Sequence, residues 1–210
     1  MSEFRLHCFA DSGNAYKVAL MLELTGQDWE AVFVDFFNGQ TRQQDWRDAV
    51  NDQGEVPVLE HAGKRLTQSA LILEYLAEHT GRFEARNEEE RREIWRWMLF
   101  DNHKFTSYYA TLRFLYCLKQ SGETQVTGFL RERATAAYGI VNAHLADRSF
   151  MVGERPTIAD LSLAGYVFMP EDTGITLKTF SHIEAWKARL RALPGWKPPY
   201  ELMPGEVAAS

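Results

Sequence analysis

Two serines stand where a hydroxyl could meet an anion. Ser12 opens the run Ser12-Gly13-Asn14-Ala15-Tyr16-Lys17-Val18 ahead of Val18, Leu20, Met21, Leu22 and Leu24, and Ser69 precedes Leu71, Ile72, Tyr75 and Leu76 at helical spacing. A serine at a helix start can accept from first-turn N–H groups, and the positive end of the helix dipole favours a carboxylate, phosphate or thiolate nearby. On these residues alone two roles stay open for Ser12: activation of a bound nucleophile, or simple capping with Asn14 supporting the turn. A serine hydrolase would need a nucleophile elbow of the G-x-S-x-G kind or a histidine and aspartate at recognisable spacing, and neither is present. Cys8 and Cys117 form no C-x-x-C pair, and Cys8 reads as a small buried hydrophobe in a strand. The six histidines are scattered without an H-x-x-x-H or H-E-x-x-H pair, so no metal dependence is expected.

The elements that must position these groups centre on Gln53 to Ala77. Val56-Pro57 opens the short apolar run Val58-Leu59; the proline fixes φ, removes a donor and biases Val56 toward an extended backbone with a free edge. Ala62-Gly63-Lys64 supplies a reversal, Leu66 lies on the returning strand, and the period then changes from two to 3.6 as the helix at Ser69 begins. Upstream, Phe4 to Ala10 reads as a strand, Asp11 to Asn14 as a turn and Val18 to Leu24 as a helix with Gly26 as C-cap. Trp29 to Phe37 returns extended and closes a βαβ unit, and polar Asn38 to Asn51 allows only a short, marginal, mobile helix. Asn87 followed by Glu88-Glu89-Glu90 is a helix start that places a domain boundary near residue 84. Beyond it Ile94 to Leu118, Thr127 to Leu145, Ile158 to Met169 and Ile183 to Leu193 read as helices, and Thr157 to Asp160 as a capping box. The Pro- and Gly-rich tail after Pro194 is not expected to sustain a helix.

A chain of 210 residues with net charge −6 and no Lys/Arg cluster argues for one large or two small globular domains without a nucleic-acid partner. The start MSEFRLHCFA lacks a cationic segment leading into an apolar core, and no stretch approaches the roughly 20 apolar residues of a spanning helix. No membrane association and a cytoplasmic location are the resulting expectations.

Val56-Pro57, Gln68-Ser69 and the S-x-N-x-x-K-V pattern at Ser12 to Val18 together resemble the cytosolic, bacterial-type glutathione S-transferase family. The resemblance implies an α/β plus all-α fold: a thioredoxin-like, glutathione-binding domain over 1–83 (β-α-β-α-β-β-α), then an all-helical domain over 84–210 bordering the electrophile pocket. It implies a cis bond at Val56-Pro57 and glutathione as co-substrate, without metal. Ser12 and Asn14 would be catalytic, with the serine activating the thiol. Val56 and Pro57 would meet the cysteinyl unit, Gln68 and Ser69 the γ-glutamyl end, and Gln40 or Arg42 the glycyl carboxylate. The pocket for a small hydrophobic electrophile would include Asp101, Lys104, Phe105 and Tyr108, because Asp101 to Phe105 resembles the His-Lys pair of beta-class members. Those members carry a first-loop cysteine that this chain lacks. The family also implies detoxification by conjugation and a homodimer pairing the first domain of one subunit with the helical domain of the other. The alternatives in the same fold are a non-catalytic ligand-binding or assembly protein and a glutathione-dependent isomerase or reductase. One departure stands out: where many serine-type members carry a lysine before Val-Pro, this chain has Glu55.

Overall fold

The computed structural model describes residues 2–205, which divide into two compact units. The first joins residues 2–82 to the tail from Leu193; the second spans Phe83–Ala192.

In the first unit the order is β1 (Phe4–Cys8), α1 (Gly13–Leu24), β2 (Trp29–Phe33), α2 (Gln44–Ala49), β3 (Val58–His61), β4 (Lys64–Thr67) and α3 (Ser69–Thr80). The sheet order is β2-β1-β3-β4, with β1 parallel to β2 and antiparallel to β3, and β3 antiparallel to β4. This is the thioredoxin-like arrangement, and alternation explains its core: Phe4, Leu6 and Cys8 project to one side of β1 and are fully buried with Leu59, Ile72, Leu73 and Leu76. Burial pushes the Cys8 thiol up to about 12, which keeps it protonated and inert at neutral pH. Both expected strands are shorter than the apolar runs that suggested them: β1 stops at Cys8 and β2 at Phe33. Phe36 and Phe37 leave the ladder and meet Phe9, Phe36 stacked at a centroid distance of 4.7 Å and Phe37 edge-on at 5.6 Å.

Helix α1 is apolar nearly all round, and a helix of that kind must be covered on every side. The sheet and α3 cover part of it, and the tail covers more. A short helix α9 (Pro199–Leu202) forms there, against the expectation that the tail could hold none. Its proline sits within the first turn, where the missing N–H costs nothing. Tyr16 donates its hydroxyl to the Lys197 carbonyl at 2.8 Å, and the Ala10 N–H donates to the Pro204 carbonyl at 2.9 Å. Residues 193–205, expected with the helical domain, therefore pack on the first unit.

The segment expected to be marginal and mobile is pinned by its own polar groups. It forms a 3₁₀ turn at Gln40–Arg42 and the six-residue α2, with Trp46 buried. Asn51 donates from Nδ2 to the Glu55 carbonyl at 2.8 Å and accepts from the Gln53 N–H at 3.1 Å. Gly54 has φ +69°, and a Cβ there would stand 2.8 Å from the Thr41 carbonyl oxygen.

The second unit is helical: α4 (Glu88–Phe100), α5 (Thr106–Arg113), α6 (Gln125–His144), α7 (Ile158–Val167) and α8 (Ser181–Arg191). Asn87 caps α4 through a 2.9 Å bond from the Glu90 N–H. The single long helix expected from Ile94 to Leu118 is instead interrupted by π-helical turns at Asp101–Phe105 and Phe114–Leu118. Each wide turn shifts the helical face, which is how one element spreads so many aromatic rings over different surroundings.

The capping box at Thr157 is present and does more than cap. The buried Asp160 carboxylate accepts from the Met151 N–H at 2.8 Å, the Thr157 N–H at 2.9 Å and Trp186 Nε1 at 2.9 Å. Burial disfavours the charged form more than these donors favour it, and the carboxyl is raised to about 6. The protonated acid is thus what the fold prefers. Its stabilising contribution is complete below the ordinary value of 3.8 and is lost as pH rises through about 6. The stability advantage of wild type over Asp160→Asn should therefore shrink between pH 4 and 7 in denaturant unfolding, by roughly 1–3 kcal/mol. A difference constant over that range would show that Asp160 titrates normally.

Candidate functional site

Strand register gathers the candidate groups of the first unit. His7 pairs with Val58 and Val58 with Thr67, while Cys8 lies beside Phe33. The end of β1, the start of β3 and the end of β4 therefore share one edge of the sheet. From that edge continue the loop to Ser12, the Val56-Pro57 peptide, and Gln68 with Ser69. Helices α1 and α3 both begin there, so two sets of unpaired N–H groups and two positive dipole ends face the same region. Such an end suits a ligand carrying carboxylates or a thiolate.

Ser12 is the N-cap of α1, 6 % exposed, and its Oγ accepts from the Ala15 N–H at 3.1 Å. The hydroxyl's own proton is donated to no group among the described residues. The cap and the donor roles left open by the sequence are therefore compatible: one oxygen accepts from the helix and can still donate to an anion. Asn14 follows within the first turn, with a buried Oδ1 that has no hydrogen-bond partner among the described residues. The Val56-Pro57 bond is cis, with Val56 partly exposed and Pro57 buried.

At α3 the structure reassigns the cap. Gln68, at φ 66° and ψ 110°, is the N-cap residue and makes no side-chain cap bond, whereas Ser69 is the first helical residue and is buried. The expected capping by the Ser69 hydroxyl does not occur, since a residue already in helical geometry cannot reach back over its own first turn. Gln68 is engaged elsewhere: its Nε2 donates to Gln53 Oε1 at 3.0 Å and to Glu55 Oε2 at 3.1 Å. Glu55 is thus exposed and directed at a candidate binding residue, and its charge occupies a donor that a ligand carboxylate would use. Gln40 is also committed, accepting at Oε1 from the Asp35 N–H at 2.7 Å, while Arg42 is exposed.

The four residues expected around an electrophile pocket lie in the second unit and separate into two pairs. Asp101 is fully buried, its carboxylate accepting from Thr106 Oγ1 and Ser162 Oγ at 2.6 Å each, and Phe105 is buried and stacked on Tyr138 at 4.3 Å. Both are packing residues inside the helical unit, because a buried carboxylate needs donors and finds them in α5 and α7. Lys104 is exposed and Tyr108 half-buried, so these two remain available to solvent.

Sequence reasoning missed the tail. Tyr200 donates its hydroxyl to Asp11 Oδ1 at 2.8 Å, and with the Ala10–Pro204 bond this braces the loop that carries Ser12 from the far end of the chain. The signal was present in the all-round apolar character of α1, which the sheet and α3 alone cannot cover.

If Glu55 competes for Gln68, Glu55→Lys should tighten binding of a tripeptide carboxylate at low salt by about two- to tenfold, and added salt should reduce the gain. An unchanged dissociation constant at both salt levels would place Glu55 outside the site.

Comparison with known proteins agrees with this geometry. Residues 2–78 match the glutathione S-transferase N-terminal domain model and residues 107–194 the C-terminal domain model. A maleylacetoacetate isomerase of Rhizobium meliloti is 31 % identical over 175 residues, covering 80 % of this chain and 81 % of its own. A glutathione S-transferase of Arabidopsis thaliana is 26 % identical over 208 residues, covering 93 % and 82 %. Among solved structures, a possible glutathione S-transferase from Rhodopseudomonas palustris superposes with TM-score 0.88 at 33 % identity, covering 94 % of this chain and 98 % of that one. Among the described residues no helix is long and apolar enough to cross a membrane. With both domain models matched across a two-unit fold of this kind, the chain belongs to the glutathione S-transferase family.

Proposed function

We propose that the protein is a glutathione transferase in which Ser12 holds the glutathione thiol as its thiolate for attack on a small hydrophobic electrophile. The observation that carries this reading is the Ser12 hydroxyl, which accepts from the Ala15 N–H at 3.1 Å and donates to no described residue. A thiol with an ordinary pKa of about 8.5 is mostly protonated at neutral pH, and each unit of depression requires about 1.4 kcal/mol of preferential thiolate stabilisation. One hydroxyl donor and a helix N-terminus supply energies of that order. The thiolate sulfur then bonds to the electrophilic carbon of, for instance, a chloronitroarene. The chloride leaves with the bonding pair, and the thiol proton has already passed to solvent.

The supporting groups follow the sheet edge. The Val56 backbone beside cis-Pro57 would pair with the cysteinyl unit, Asn14 would support the Ser12 turn, and Gln68 with the α3 N-terminus at Ser69 would take the γ-glutamyl carboxylate. Arg42 is the better of the two candidates for the glycyl carboxylate, because its exposed guanidinium carries a positive charge and a fork of donors, whereas Gln40 offers only a neutral amide. Lys104 and Tyr108, the accessible pair, are assigned to electrophile recognition. A second reading, a glutathione-dependent isomerase, is favoured by the Rhizobium meliloti relative, whose name is that of an isomerase. Turnover of a chloronitroarene against that of maleylacetoacetate separates the two.

Replacing Ser12 with Ala should lower kcat/KM for conjugation by about ten- to a thousandfold while leaving glutathione binding little changed, the pattern of a lost donor to an anion. Full activity in Ser12→Ala would move the thiol contact elsewhere, with Asn14 next to test. As a family member the protein is also proposed to be a homodimer; sedimentation should give twice the 24.2 kDa chain mass, and a monomer at micromolar concentration would reject the assignment.

A further inference from the structure

We propose that Glu3, His61 and His79 form a binding site for one divalent transition-metal ion of the zinc type, at the end of the sheet opposite Ser12. Glu3 immediately precedes β1, His61 ends β3, and His79 lies in the last turn of α3. The register pairs Phe4 with His61, which carries Glu3 past the end of the ladder beside the imidazole. Glu3 Oε1 is 3.2 Å from His61 Nε2 and 3.7 Å from His79 Nε2, and the three ligand atoms all lie within 4.8 Å of one another.

Zinc holds nitrogen and oxygen ligands at about 2.0–2.2 Å, so neighbouring ligand atoms around a tetrahedral ion stand about 3.3–3.6 Å apart. The two Glu3 separations already bracket that value. Closing the remaining side needs only rotation of the two outer ligands, whose side chains are 50 % and 37 % exposed for Glu3 and His79. The third ligand is the rigid one. His61 is buried, stacked on Phe4 at 4.1 Å, and tied through Nδ1 to the Tyr75 hydroxyl at 2.6 Å. A partner on one ring nitrogen fixes the orientation of the other, which is the arrangement that supports a metal-bound imidazole.

Two imidazoles and one carboxylate select zinc, cobalt, nickel or copper over calcium and magnesium, and three protein ligands leave a fourth position for water or an exogenous group. A cleft of about 330 Å³ lined by Glu3, His61, Gly63 and Lys64 provides the entry path. Two cations that line it are already paired: Arg5 Nη1 and Arg65 Nε lie 2.9 and 3.6 Å from the Glu60 carboxylate. The bound ion would clip the start of β1 and the end of β3 to the end of α3. The ligands are too far apart in the chain to form any short-spaced histidine motif, which is why no motif marks them.

The test uses the full, untagged, chelator-treated protein titrated with zinc by calorimetry and with cobalt by visible absorption. Expected are one ion per chain, the strong visible bands of four-coordinate cobalt, and a thermal midpoint that rises with zinc concentration as binding to the folded state requires. Glu3→Gln and His79→Ala should each weaken the ion by more than the roughly 10–100-fold that loss of an outer-shell partner brings. These positions are exposed, so both variants should fold even where His61→Ala, under Phe4, does not. Unchanged affinity in both variants, or only the weak spectrum of six-coordinate cobalt, would overturn the assignment.

Discussion

The pairing of β3 against β1 is the constraint on which the rest of the first unit depends. Side chains alternate along a strand, so a slip of one residue would send Val58 and Leu59 each to the opposite face of the sheet from the partners they now pack with, and move every attached loop. In the observed register three segments distant in sequence end at one edge: the turn to Ser12, the Val56-Pro57 peptide and the entry to α3. The chemistry expected there needs convergent donors at fixed positions, and the sheet fixes those positions through backbone bonds rather than through contacts among the reactive groups themselves. The same pairing run to its other end places Glu3, His61 and His79 together. One ladder thus organises two poles, one rich in helix N-termini and donors, the other rich in imidazole and carboxylate.

Much of this was legible in the sequence because it rests on local signals. The Val56-Pro57 corner, the Ala62-Gly63-Lys64 reversal and the change of period at Ser69 are properties of neighbouring residues, and they mark β3, β4 and α3 in order. Asn87 with its acidic first turn and the Thr157 to Asp160 box likewise mark helix starts wherever the chain later packs. What the sequence did not show depends on distant partners or on a backbone conformation that residue type does not announce. Asp101 and Phe105 were expected at a pocket because Asp101 to Phe105 resembles the His-Lys pair of beta-class members. Ser162 and Tyr138, far along the chain, draw them into the core. Ser69 looked like a cap because serine is a good cap, but the left-handed Gln68 before it takes that place.

The helical unit solves a different problem, the burial of ionisable groups. Asp101, Asp160 and Arg113 are almost wholly withdrawn from water, and each is met by polar partners: Thr106 and Ser162, Thr157 and Trp186, and Glu171, whose carboxylate accepts from Arg113 Nε at 2.7 Å. Removing one partner from such a group is far more costly than removing an exposed ion pair, because the remaining charge stays desolvated. These contacts tie the π-turn at Asp101 to α5 and α7, and α7 to α8.

The tail gives the chain an unusual order of assembly. Because residues 193–205 lie on α1 and on the loop before Ser12, the first unit is built from two stretches of chain separated in sequence by the helical unit. A ribosome making this protein releases β1 to α3 first, yet the apolar far side of α1 stays uncovered until residues 193–205 have been made. During that interval the nascent thioredoxin-like unit exposes the surface that Tyr16 and its neighbours bury in the finished fold. The period of greatest exposure to aggregation or chaperone capture therefore falls late in synthesis, after the helical unit has emerged, and ends only when the C-terminal segment docks.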